Sequence, residues 1–254
     1  MRRILSDSQT QDLVELHTVA HSVGAQVVII GAVALSCFLD DLGRFTSDVD
    51  LVIALDLRDF QQFVTTLDSI HWRQEAKREH RWRSRRGSLI DLLPAGPELR
   101  SAKLIRWPVS DFTMSLVGFD HVFARAVSVE FAPGVHFEVA PLPVIAILKI
   151  VAHLDDPYRR AKDLDDLKVL MKKYEANSDR IFSDEVFAAE LEDIDQASAF
   201  LLGLDVGRIM APDELSVVRK FAARYRDDDS GELDDWAQAQ FQLHLRGFER
   251  GIGA

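Results

Sequence analysis

The stretch from Gln26 to Leu55, QVVIIGAVALSCFLDDLGRFTSDVDLVIAL, constrains the fold more than any other part of the chain. Gln26 to Ile30 is a β-branched run that stops at Gly31, Val33 to Leu39 is long enough for a short helix, and Asp48 to Leu55 is apolar after its first carboxylates. The pattern predicts strand, glycine turn, short helix, strand. Successive strand side chains point to opposite faces, so Asp48 and Asp50 aim two carboxylates at one side of the sheet. They stand at the mouth of a run, Leu51, Val52 and Ile53, that reads as buried. Two like charges placed there require something positive between them. A hard divalent cation with oxygen ligands, Mg²⁺ carrying a nucleotide's phosphates, meets that requirement.

Around this stretch the pattern predicts an α/β part followed by a helical part. Apolar residues at Leu13, Val14, Leu16, Val19 and Ala20 predict an amphipathic helix over Asp7 to His21 that covers the sheet. Leu57 to Ile70 has the same period. Trp72 to Ser84 alternates loosely as an exposed basic strand, and Ser88 to Leu93 is a short strand closed by Pro94, Ala95 and Gly96. Val127 to Phe131 and Val135 to Val139 alternate strictly about Ala132-Pro133-Gly134, a hairpin. From Pro141 the helical period takes over: Pro143 to His153, Arg160 to Lys173, Asp184 to Leu191, Ala197 to Leu202, Asp213 to Arg224 and Asp234 to Phe248. The expected division is 1–140 and 141–254. Asp227 to Gly231 reads as a solvated acidic turn, since it lacks the ligand pattern of a calcium loop.

Charge is unevenly spread along the chain. The net charge is −11, and from Tyr174 onward there are 18 acidic against 8 basic residues, which leaves the first 173 near neutrality. Within that first part, RQEAKREHRWRSRR from Arg73 to Arg86 holds seven Lys or Arg against two Glu. Arg73, Lys77, Arg78, Arg81, Arg83, Arg85 and Arg86 are thus candidates for RNA contact, with Trp72 and Trp82 as stacking platforms. A charged edge strand protected against aggregation accounts for the same residues. No apolar run is long enough for a membrane span and no secretory signal is readable. The single cysteine, Cys37, reads as a buried structural thiol in a reducing cytosol. P-loop, hydrolase-elbow and zinc-site patterns are absent from the sequence, and His71, His80, His136 and His153 are scattered singly. Lys149, between Leu148 and Ile150 on an otherwise apolar helix, must snorkel or meet an anion.

Ile30-Gly31-Ala32 followed by Arg44-Phe-Thr-Ser-Asp-Val-Asp-Leu51 resembles the signature of the nucleotidyltransferase superfamily. With the later strand carboxylate Asp91, the helical Lys149 and the run Arg160-Ala-Lys-Asp-Leu164, it resembles the AbiEii/AbiGii toxin-type branch. The likeness spans roughly residues 26 to 173; the last third carries no motif of it. It implies a nucleotidyltransferase-like mixed sheet with flanking helices. It also implies Mg²⁺-dependent transfer of a nucleoside monophosphate from an NTP to an acceptor, with tRNA 3′ ends among the branch's acceptors and an antitoxin as partner. Asp48 and Asp50 would hold the metal, Asp91 would be metal ligand or base for the acceptor hydroxyl, and Lys149 would meet the β- and γ-phosphates. Asp163 would complete the site beside Lys162 or Arg160. Gly31 allows a tight turn whose following N–H groups hold a phosphate. Thr46 and Ser47 would hydrogen-bond phosphate or shape the turn, and Arg44 would position either the loop or the nucleotide. The superfamily usually has Gly-Gly or Gly-Ser where this chain has Gly31-Ala32, so a serine contact is missing.

Two other readings fit the same residues. One keeps the catalytic core but gives it an aminoglycoside-like small molecule or a protein side chain as acceptor, since a motif does not fix the substrate. The other is a non-catalytic module whose altered nucleotide site, with Ala32 at its turn, binds a nucleotide or an antitoxin.

Overall fold

A computed structural model of the chain describes residues 4–40, 47–76, 78–226 and 235–254. Arg44, Thr46, Lys77 and the acidic turn at Asp227 to Gly231 lie outside the described residues. The chain divides into two compact units, Met1–Pro141 and Leu142–Ala254.

The first unit is a mixed α/β structure. Helix α1 (Asp7–Ser22) opens on a capping box in which the Ser6 side chain accepts from the Gln9 backbone and the Gln9 side chain answers. Then come β1 (Val27–Ile30), α2 (Gly31–Phe38), β2 (Asp48–Ile53), α3 (Leu57–Ser69), β3 (Arg73–Glu75), β4 (Arg78–Arg83) and β5 (Leu89–Pro94). Residues 97–126, which have no clear period, fold as α4 (Pro97–Ala102), β6 (Leu104–Arg106), β7 (Thr113–Ser115) and α5 (Phe119–Arg125). The hairpin β8 (Val127–Ala132) and β9 (Val135–Val139) closes the unit. One seven-stranded sheet runs in the order β3-β4-β5-β2-β1-β9-β8, and β6 and β7 pair separately. In it β2 is antiparallel to β1 and parallel to β5.

Burial follows the pleat. On β2, Val49, Leu51 and Ile53 are fully buried, as are Ile90 and Leu92 of β5, while Asp48, Asp50 and Asp91 on the other side are half-buried. Phe60, Phe63 and Leu67 of α3 add to the core. A buried carboxylate fastens α1 to the β4–β5 turn: Asp12 accepts hydrogen bonds from Ser84 Oγ at 2.6 Å, Ser88 Oγ at 2.5 Å and Arg86 Nη1 at 2.8 Å. Three donors satisfy a charge that would otherwise be costly to bury.

Three sequence expectations change here. Trp72 to Ser84 is not one exposed strand but the hairpin β3–β4, with a register shift at Gln74/Glu75. Trp72 and Trp82 are fully buried, so neither is a stacking platform for RNA. Their large rings fill the core on the face opposite the charged side chains, which the alternation of a strand permits. Cys37 is half-buried rather than buried, its Sγ 3.4 Å from the Val33 carbonyl.

The second unit is helical: α6 (Leu142–Asp155), α7 (Ala161–Lys173), α8 (Asp184–Ala188), α9 (Ala197–Ile209), α10 (Leu215–Arg226) and α11 (Asp235–Gly253), with short 3₁₀ turns before α8 and α9. Helices α9 and α11 meet backbone to backbone. A Cβ on Gly203 would overlap the Phe248 carbonyl, and one on Gly251 would overlap the Phe200 carbonyl and the Leu204 amide. Gly247 faces the Gln196 carbonyl in the same way. Large residues fill in around this seam: Phe200, Leu201, Phe241, Leu245 and Phe248 are all buried.

Candidate active site

The register of three strands assembles a carboxylate cluster in the first unit. Asp50 of β2 stands opposite Asp91 of β5, Ile30 of β1 stands opposite Asp50, and Arg81 of β4 stands opposite Asp91. Laterally paired residues project from the same face, so Asp50, Asp91 and Arg81 share it, and Asp48 joins them two residues along β2. The Arg81 guanidinium lies among the carboxylates. Its Nε donates to Asp91 Oδ1 and its Nη2 to Asp91 Oδ2, both at 2.6 Å, and Nη2 also donates to Asp48 Oδ2 at 2.8 Å. This is a planar fork held by one carboxylate and shared with a second. The hydrogen bonds to Asp91, and then the charges of Asp91 and Asp48, raise the Arg81 pKa above its ordinary value, so the guanidinium stays charged.

Gly31 shapes the other wall. It opens α2 with φ +67°, a left-handed conformation that costs other residues energy. A Cβ here would also overlap Asp50 Oδ2, so the carboxylate of Asp50 lies directly against the Gly31 backbone at the helix start. Ala32 is buried behind it and Ser47 is exposed just before β2. Three carboxylates on adjacent strands, already hosting a cation, are a donor set that suits a hard divalent ion. Among the described residues, no three His, Cys, Asp or Glu side chains converge as a ready-made metal shell; the aspartates spread around the guanidinium instead.

A second charged cluster lies in the helical unit. Lys149 Nζ on α6 is 2.8 Å from Asp163 Oδ1 and 2.6 Å from Asp166 Oδ2, both on α7. Lys149 and Asp166 are buried. The anion that Lys149 demanded is therefore a pair of carboxylates of its own unit. One turn along α6, buried His153 is 3.0 Å from the Arg160 carbonyl through Nδ1 and hydrogen-bonds the Tyr225 hydroxyl through Nε2. Arg160 reaches Asp163 more loosely at 3.8 Å, and Lys162 is exposed.

Residues of the basic stripe differ in how closely they pair, and Arg85 and Arg86 stay exposed while pairing. Arg81 belongs to the carboxylate cluster. Arg85 pairs with Glu15 at 2.8 Å, and Arg86 pairs with Asp12 and, at 3.5 Å, Glu15. Arg73, Arg78 and Arg83 are exposed; Arg73 lies 3.9 Å from Asp68 and donates to the Asp68 and Trp72 carbonyls, and Arg83 lies 3.7 Å from Glu75.

Arg81 and Asp166 were not singled out for these places by their motifs. Both had a signal. Arg85-Arg86-Gly87 is a turn between alternating runs, and folding it as a hairpin sets Arg81 across from Asp91. Asp166 is three residues beyond Asp163 and so shares its helical face.

The chain matches, over residues 16–253, the family described as nucleotidyl transferase AbiEii toxin of the type IV toxin–antitoxin system. Among solved structures, an antigenic nucleotidyltransferase-like protein from Paracoccidioides brasiliensis is similar at 17% identity, over 84% of this chain and 93% of that one, with a TM-score of 0.44. JHP933 from Helicobacter pylori is similar at 15% identity, over 98% and 95%, with a TM-score of 0.39. A putative nucleotidyltransferase from H. pylori is similar at 15% identity, over 98% of each chain, with a TM-score of 0.40. No curated protein matches. The sequence match is long enough to assign the chain: it belongs to the AbiEii nucleotidyltransferase toxin family and is a nucleotidyltransferase. The match also takes in the last third, where the sequence shows no motif of the family.

Proposed function

We propose that this AbiEii-family chain transfers a nucleoside monophosphate from an NTP to an acceptor at the face carrying Asp48, Asp50 and Asp91, as the toxin of a toxin–antitoxin pair. The observation that carries the reading is the in-register placement of these aspartates on one face, with the Arg81 guanidinium between Asp48 and Asp91. Asp48 and Asp50 would hold Mg²⁺, which would supply charge neutralisation on the triphosphate and polarise its α-phosphorus. The chain's own residues do the rest. The N–H groups at the start of α2, beside Gly31 and Asp50, would suit phosphate oxygens, with Ser47 close by in sequence. Asp91 takes the proton from the acceptor hydroxyl as its oxygen bonds to the α-phosphorus and pyrophosphate leaves. Such transfer depends on positioning and electrostatics, which a rigid sheet provides.

For the acceptor, the 3′ end of tRNA is the reading the family suggests, and exposed Arg73, Arg78 and Arg83 are the stripe residues open to it. The engagement of Arg81, Arg85 and Arg86 within the protein favours a second reading, a small-molecule or protein acceptor. An antitoxin partner and a cytoplasmic site of action complete the proposal. Among the described residues, no helix is long and apolar enough to cross a membrane.

The test is incubation with Mg²⁺ and each α-labelled NTP, separately with total tRNA, protein extract and aminoglycosides. Label on tRNA that disappears in Asp48→Ala and Asp50→Ala is the expected result. Label on another acceptor moves the proposal to the second reading, and label that survives both substitutions removes the metal assignment.

A further inference from the structure

Both oxygens of Asp91 are held by Arg81, and a carboxylate so held is a poor ligand and a poor base. The same guanidinium nitrogen that reaches Asp91 also holds Asp48 Oδ2. Each of these oxygens is one that a divalent cation on this face would take. A cation of charge two cannot share them with a guanidinium at 2.6–2.8 Å without strong repulsion. Arg81 also has somewhere to go, because it is carried on β4 beside exposed Arg83 and keeps its own side chain 15% exposed.

We infer that Arg81 is an exchangeable counter-ion: it neutralises Asp48 and Asp91 in the free protein, leaves them when a divalent cation binds, and then pairs with the phosphates that arrive with it. The inference rests on the assignment of the metal and nucleotide to this face. It gives Arg81 a role in specificity. Metal alone binds weakly because it must break a bidentate pair, whereas metal with a nucleotide binds well because the released fork meets phosphate oxygens of matching geometry. The two ligands are thereby coupled through one side chain. Exchange also frees Asp91 to accept a proton.

The test measures Mn²⁺ binding calorimetrically with and without an α,β-methylene NTP analogue, in the native chain and in Arg81→Gln. In Arg81→Gln, Mn²⁺ alone is expected to bind about tenfold tighter, the size of one charge-assisted hydrogen bond. The enhancement that the nucleotide brings is expected to shrink by a similar factor. Arg81→Lys, which keeps the charge and loses the fork, should fall between on both counts. In the native chain the Arg81 Nε–H resonance should shift on saturation with Mg²⁺ and analogue, a readout that needs no variant to fold. Equal Mn²⁺ affinity in the native chain and Arg81→Gln, or an unmoved resonance, overturns the inference while leaving the site assignment standing. A native chain that binds no analogue at any metal concentration overturns the site assignment, and the inference with it.

Discussion

Arg81 and Lys149 hold corresponding places in their units, each a cation with two aspartates at 2.6 and 2.8 Å. Their surroundings differ. Arg81, 15% exposed, joins Asp91 at 13% to a more exposed Asp48 at 31%, whereas Lys149, 7% exposed, joins Asp163 at 13% to Asp166 at 4%. The triad with one member open to water costs less to open than the one whose members are further from it. The comparison teaches that the same ion triad can be an adjustable surface in one unit and a structural fixture in the other, with burial deciding which.

The largest effect should come from breaking the fixture. Lys149→Met takes the buried cation away from Asp163 and Asp166 and is expected to cost about 3–5 kcal/mol. Far-UV circular dichroism in urea measures it in the helical unit, and a loss below about 1 kcal/mol would mean that the two triads are alike after all. The first unit has its own probe, because Trp72, Trp82 and Trp107 are buried there while Trp236 of the second unit is 70% exposed. Tryptophan emission therefore follows the sheet.

Acid perturbs the first unit through a buried histidine. His17 packs its ring 4.8 Å from that of Phe137, its Nε2 is buried with no partner among the described residues, and burial pushes its pKa down from 6.5 to about 4. The unfolded chain binds the proton first as pH falls. Stability is therefore complete above about pH 6.5 and declines toward pH 4, by up to about 3 kcal/mol. His17→Phe should flatten that decline in the tryptophan-monitored midpoint; an unchanged slope would assign the acid sensitivity to other groups.

Gly31→Ala is expected to cost about 1–2 kcal/mol from its left-handed backbone alone, and to displace the Asp50 carboxylate. Nucleotide binding should fall more than the midpoint does, which separates a site effect from a folding effect. Arg81→Gln should cost less than Lys149→Met, because Asp48 at 31% exposure can recover water where Asp166 at 4% cannot. A cost approaching that of Lys149→Met would erase the distinction between the two triads.

Much of the first unit was legible because strand chemistry is local. The β-branched run before Gly31 and the Asp-x-Asp spacing identify β1 and β2 by period, and the Ala132-Pro133-Gly134 signal identifies the last hairpin. Less legible was which charged residue meets which, since that depends on register across strands that the pattern leaves open. Seven basic residues in fourteen announce a positive surface. Only the pairing of β4 with β5 shows that Arg81 serves the aspartates and that Asp12 and Glu15 hold Arg86. Lys149 announced its need for an anion, and tertiary packing chose Asp163 and Asp166 to supply it.

The glycine seam between α9 and α11 bears on how the helical unit comes apart. Each glycine inside a helix lowers its intrinsic stability by about 1 kcal/mol relative to alanine, so helices carrying Gly203 and Gly207, or Gly247 and Gly251, are poor helices alone. What they lose singly they regain by close approach, and only while both are present. Separation of the seam therefore removes the support of both helices at once. The unit should open as one cooperative block, with the backbone amides of α9 and α11 exchanging with solvent together and the terminal helix resisting the fraying usual at a chain end.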